Sequence, residues 1–82
     1  MTKAEYGKCE KLMEDAIQKA QTSKEEFEMM DKYAALNDYS QSMITLYNRR
    51  AERHLGYAEG INQALITLGF KHDRLKELSK LL

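Results

Sequence analysis

Residues 23–68 read SKEEFEMMDKYAALNDYSQSMITLYNRRAERHLGYAEGINQALITL, a stretch without proline. Its apolar residues recur every three or four positions, the spacing of one helix face. Ser23-x-x-Glu26 has the form of a capping box, and Glu25, Glu26 and Glu28 suit the positive end of a helix dipole. The pattern predicts a helix over 24–68, ~70 Å long if unbroken at ~1.5 Å per residue. The candidate interruption is Asn37-Asp38-Tyr39-Ser40, whose short polar side chains can cap a break at 37–40.

The rest of the chain arranges itself around this stretch. Upstream, Thr2-x-x-Glu5 opens a first helix over 3–21, with Cys9, Met13, Ala16 and Ala20 as its apolar row. Gln21-Thr22-Ser23 reads as the turn that follows. Downstream, Gly69 suits a left-handed C-cap with Phe70 folding back as its hydrophobic contact. A last helix over 72–82 carries Leu75, Leu78 and Leu82 on one side. The expectation is an all-α fold: a short N-terminal helix antiparallel to a long, straight or bent helix, plus a short C-terminal helix. On that plan the first helix is too short to cover residues 44–68, which then need another chain. An oligomeric helical bundle follows.

Size points the same way. Eighty-two residues make one small domain, whose core alone supplies roughly 3–5 kcal/mol. The one cysteine, Cys9, excludes an internal disulfide and reads as core. Self-association is the remaining reinforcement. Thirteen basic and thirteen acidic side chains cancel, but unevenly. Residues 1–41 hold six lysines against nine acids, and residues 42–82 seven basic residues against four acids. The halves attract, within one subunit or between subunits. No apolar run approaches the ~20 residues of a membrane span. The first residues lack the apolar centre of a signal peptide, and with a lone thiol this predicts a cytoplasmic protein.

Tyr47, Arg50, His54, Tyr57 and Ile61 follow one another at steps of three or four. On a helix that spacing makes one row, beside Ala51, Ala58 and Leu65. A guanidinium on an apolar face requires an anionic partner. The candidates are an acid of the N-terminal half (Glu10, Glu14 or Asp31), a carboxylate of a second subunit, or a phosphate. In the last case Arg50 and Arg53 hold phosphate, Tyr47 and Tyr57 stack on a base, and His54 donates a hydrogen bond. Gly56, Gly60 and Ala64 form a second row on nearly the opposite face. With Leu55 and Leu65 they are candidate packing positions for further subunits. The best heptad register would bury Gln41, Asn48 and Asn62, which favours a globular bundle over a long coiled coil.

Catalytic and metal chemistry find no foothold. His54 and His72 have no acid or histidine three or four residues away, so no helical metal pair exists. No Gly-rich phosphate loop, nucleophile elbow or paired-carboxylate signature occurs. The expectation is a non-enzyme without cofactor. Arg49, Arg50 and Arg53 are too few for a general nucleic-acid surface. Asn48 to His54 resembles a zipper basic region only until the helix turns apolar with Gly56 and Gly60.

Tyr57-Ala58-Glu59-Gly60-Ile61 and Leu68-Gly69-Phe70 resemble the ends of small helical accessory proteins carried by phages and prophages of Gram-positive bacteria. The resemblance implies a regulator or inhibitor of host factors. One class of such proteins, the sponges that sequester cyclic nucleotide immune signals, consists of small helical oligomers with basic and aromatic residues at subunit interfaces. The leading expectation is a homo-oligomer that binds an anionic ligand, such as a nucleotide signal, in an anti-defence role. The alternative is a module that inhibits or scaffolds a host protein, and the third reading is a DNA-binding regulator.

Overall fold

A computed structural model describes residues 1–36 and 41–82, and its described residues are helical with no strand. The elements are α1 (Lys3–Ala35), α2 (Gln41–Thr67) and α3 (Leu75–Leu81). The all-α expectation holds. The placement of the first turn does not.

α1 begins as the sequence predicts: the Thr2 hydroxyl oxygen accepts from the Glu5 amide at 3.1 Å. It then runs through 21–23 without a break. The hydroxyls expected to cap a new helix have other partners. Thr22 Oγ1 donates back to the Gln18 carbonyl at 3.0 Å. Ser23 Oγ donates to the Ala51 carbonyl on α2 at 2.8 Å and is buried. A serine inside a helix can satisfy its hydroxyl on a carbonyl, and here the carbonyl belongs to the neighbouring helix. The expected helices over 3–21 and 24–68 are therefore replaced by α1 and α2. An unbroken 24–68 helix is excluded at Leu36, whose backbone is extended (φ −79°, ψ 139°) and whose amide reaches only Tyr33. The predicted break at 37–40 lies outside the described residues.

Moving the turn changes the architecture. α1 is now long enough to cover α2 along its length, so residues 44–68 do not lack a neighbour. The two run antiparallel: Tyr33 stacks on Tyr47, Glu26 meets His54, and Lys19 lies by Tyr57. Ala51, Ala58 and Leu65 are buried at intervals of seven, with Tyr47, His54 and Ile61 half-buried between them. The spacing is that of a heptad, and it lies one step around the helix from the register that would bury Asn48 and Asn62, which are themselves half-buried. The working register buries two alanines and Leu65 and half-buries a tyrosine and a histidine, which a search for leucines overlooks. The hairpin is a rod, 54 × 18 × 16 Å, with a radius of gyration of 15.6 Å. A compact chain of this length would have about 12 Å.

The core occupies one end of the rod. Cys9, Met13, Ala16, Ile17 and Ala20 of α1 pack with Ala58 and Leu65 of α2, Phe70 of the following turn and Leu78 of α3. Gly69 makes that turn. Its φ is +74°, its amide bonds the Ile66 carbonyl, and the Phe70 amide bonds the Leu65 carbonyl, each at 3.0 Å. This is a Schellman stop, and it drives Phe70 back into the core as predicted. His72 and Asp73 belong to the turn and not to the last helix, which starts at Leu75 and is shorter than the expected 72–82. His72 Nδ1 accepts from the Arg74 amide, so its other nitrogen carries the proton and donates to Glu10 Oε2 at 3.0 Å. Arg74 reaches Glu14 and Glu77. The charge asymmetry of the sequence is thus partly used within the chain, acids of α1 holding basic groups of α2 and of the last turn.

Candidate functional site

The five residues of the expected ligand row sit on α2 but do not converge. Tyr47 is half-buried, one ring face stacked on Tyr33 at 5.6 Å and 21°. His54 is half-buried, and its Nδ1–H donates to Glu26, whose side chain is 12% exposed. The imidazole that was to donate to a ligand is committed to the hairpin itself. Arg50 and Arg53 are exposed. Among the described residues neither has an ion pair or hydrogen bond.

Enclosure of Arg50 is the expectation this most directly corrects within the subunit. The seam is centred on Ala51 and Ala58. At ~100° per residue Arg50 lies about 80° from Ala58 around the helix, where a long side chain leaves the interface for water. Of the acids proposed as its partners, Glu10 holds His72, Glu14 faces Arg74, and Asp31 makes no ion pair with it among the described residues. Burial therefore does not demand an anion at Arg50.

Tyr57 is half-exposed on the same flank. The carboxylate of Asp15 accepts from its phenol and sits close enough to oppose a second negative charge, and both effects raise the phenol above its ordinary value. Lys19 Nζ lies 6.0 Å from the ring centre, at the outer limit of a cation–π contact.

The packing row divides too. Leu65 is fully buried in the subunit core, so it is not available to another subunit. Leu55 is half-buried beside Leu81 and Leu82. Gly56, Gly60 and Ala64 are exposed, and a Cβ added at either glycine would meet nothing within 4 Å. Nothing inside the subunit requires these glycines.

Three surface depressions are lined mostly by other residues. One of about 430 Å³ lies on the first turns of α2 (Gln41, Ser42, Thr45, Leu46, Arg49). One of about 340 Å³ lies where α3 ends, between Phe27, Leu55 and Leu81. One of about 260 Å³ is lined by Met1, Cys9, Leu12 and Leu68, and is the most apolar. Among the described residues no group of three or more histidines, cysteines and acids could hold a metal ion. No described helix is long and apolar enough to cross a membrane.

The structure instead groups residues of both expected rows with two that the sequence reading placed in neither, Leu46 and Leu68. Leu46, Arg50, Arg53, Tyr57, Gly60, Ala64 and Leu68 recur at three or four and are all exposed. Leu46, Tyr57 and Leu68 are large and apolar, with Leu68 61% exposed. This stripe lies on the flank of α2 away from Leu55 and α3. The signal was available in outline, because the stripe contains five of the residues singled out for other reasons. What the sequence could not supply was which arc of α2 the lengthened α1 covers.

No protein-family model, curated protein or solved structure matches the chain, so the functional argument rests on these residues alone. The likeness of residues 57–70 to phage accessory proteins gains no support from them.

Proposed function

We propose that this chain is a non-enzymatic helical-hairpin module that works by stoichiometric association with another helical surface, and so scaffolds or inhibits what it binds. The observation that carries the reading is the exposed α2 stripe. Scattered single apolar residues are normal on a protein surface, but aligned ones on a flank left open by every other described element mark a contact face. Arg50 and Arg53 between Leu46, Tyr57 and Leu68 fit such a face, since arginine and tyrosine are the residues that dominate protein contacts. Native mass spectrometry of protein purified from its host tests it. The expected result is a complex containing at least one further chain, lost in Leu68→Glu. A wild-type monomer carrying no other chain contradicts it.

A second reading has its own observation. Arg49, Arg50 and Arg53 are exposed and have no acidic partner among the described residues. Capture of an anionic ligand such as a nucleotide between subunits would use those guanidinium groups and the open ring of Tyr57. It predicts a thermal stabilisation by nucleotides that Arg50→Ala abolishes while leaving the fold intact. No shift in the wild type removes it.

A further inference from the structure

We infer that the partner of the α2 stripe is an acidic amphipathic helix of a different protein, with carboxylates on Arg50, Arg53 and Lys19 and an apolar anchor at Leu68. The inference rests on the association reading above and names the partner's chemistry.

Charge on α2 is sorted between its two flanks. The acids of this helix are Glu52 and Glu59. They stand three residues before and four after Leu55, so they share its face. Leu55 borders Leu81 and Leu82, which makes that face the flank where α3 ends. The stripe carries Arg50 and Arg53 and no acid. Lys19 of α1 joins them, lying by Tyr57. None of these three cations has an ion pair among the described residues. The acids of α1 beside them are occupied. Asp15 is half-buried and accepts from the Tyr57 phenol, while Glu26 is 12% exposed and accepts from His54.

The other end of the stripe is apolar. Leu68 and Leu12 are exposed, and they line the depression of about 260 Å³ together with Met1 and Cys9. Lys8 and Glu5, one turn apart at its rim, balance in charge. Gly60 and Ala64 lie between the two ends, and small side chains there let a helix approach closely. Arg53 and Leu68 are about 22 Å apart along the helix at ~1.5 Å per residue, or about four turns.

This pattern discriminates between occupants. A second copy laid flank to flank would set cations against cations, because the neighbouring acids already hold other groups. Like charges across an interface suppress a partner. A phosphate backbone would meet the arginines but leave Leu12, Leu46 and Leu68 in water. An amphipathic helix with acids at one end of its apolar face and large apolar side chains at the other suits both ends of the stripe.

Fluorescence anisotropy with labelled helical peptides of roughly 18 residues, long enough to span the stripe at ~1.5 Å per residue, tests the assignment. Each peptide carries leucines at steps of three and four. Glutamates flank the leucines in the first turns of one peptide and in the last turns of the other. One of the two should bind the wild type, and its lysine-for-glutamate counterpart should bind at least about tenfold more weakly. The double variant Arg50→Glu with Arg53→Glu should reverse that preference. Both positions are exposed, so circular dichroism should show wild-type helicity. Leu68→Ala should weaken binding without changing the preference. A glutamate peptide that binds no better than its lysine counterpart, or a preference that the double variant leaves unchanged, overturns the acidic-helix assignment. So does equal binding of a scrambled peptide of the same composition, which would mean attraction by charge alone. A complex from the host whose further chain is a second copy keeps the association reading and overturns this one. No complex and no peptide binding removes both.

Discussion

The two ends of the hairpin are held by different physics. At the end covered by α3, Met13, Leu65 and Leu78 are fully buried and Phe70 nearly so. Each such side chain contributes roughly 1.5–3 kcal/mol by leaving water. At the far end no third helix covers the seam among the described residues, and the contacts described there include Ser23 to Ala51, Glu26 to His54 and Tyr33 on Tyr47. Hydrogen bonds of that kind yield only about 1 kcal/mol net, because water competes for the same groups. The covered end supplies stability. The far end supplies register and leaves arginines and apolar side chains available to something else.

The sharpest way to break this comparison is to empty the covered end. Leu78→Ala should cost about 2–5 kcal/mol in urea denaturation, since it removes a fully buried side chain and loosens α3. A loss as small as that of a far-end variant would mean that α3 does not matter. At the far end, His54→Ala leaves the largely buried Glu26 carboxylate without its donor and should cost about 1–3 kcal/mol. The double variant with Glu26→Ala should cost clearly less than the sum of the two single changes, which a double-mutant cycle reads.

Smaller effects sharpen the contrast between flanks. Gly56→Ala should stabilise the chain by about 1 kcal/mol, because its Cβ meets open space in the middle of a helix. Gly60→Ala should do the same for the isolated subunit, but on the stripe the added methyl should weaken association, visible as a lower fraction of complex in native mass spectrometry. Equal behaviour of the two glycines would argue against a contact at Gly60. The smallest effect concerns Tyr57. Its phenol is raised by Asp15, so its contribution is fully present below the ordinary value of about 10 and fades as pH rises through the folded value. In an alkaline absorbance titration, Asp15→Asn should move the phenol that Tyr57→Phe removes back toward about 10.

The parts of the fold that depend on neighbours in sequence were legible. Thr2 caps α1, and Gly69 with the Phe70 amide stops α2, because each uses hydrogen bonds within a few residues. The first turn was misread for the opposite reason. Ser23-x-x-Glu26 has local capping form, yet the serine hydroxyl bonds a carbonyl 28 residues away and Glu26 meets a histidine equally distant. No local pattern distinguishes those outcomes. That error propagated to the site: with α1 ended at 21, Arg50 and His54 shared an exposed apolar face, whereas α1 continued to Ala35 takes His54 and leaves Arg50 outside.

The central claim is that the open flank of the hairpin completes its packing on a partner. Hydrogen exchange along α2, compared between the wild type and Arg53→Glu, tests it most directly. The account predicts that amides of 43–57 lose protection in the variant while those around Ala58 and Leu65 keep most of theirs. An unchanged profile in both stretches would contradict it.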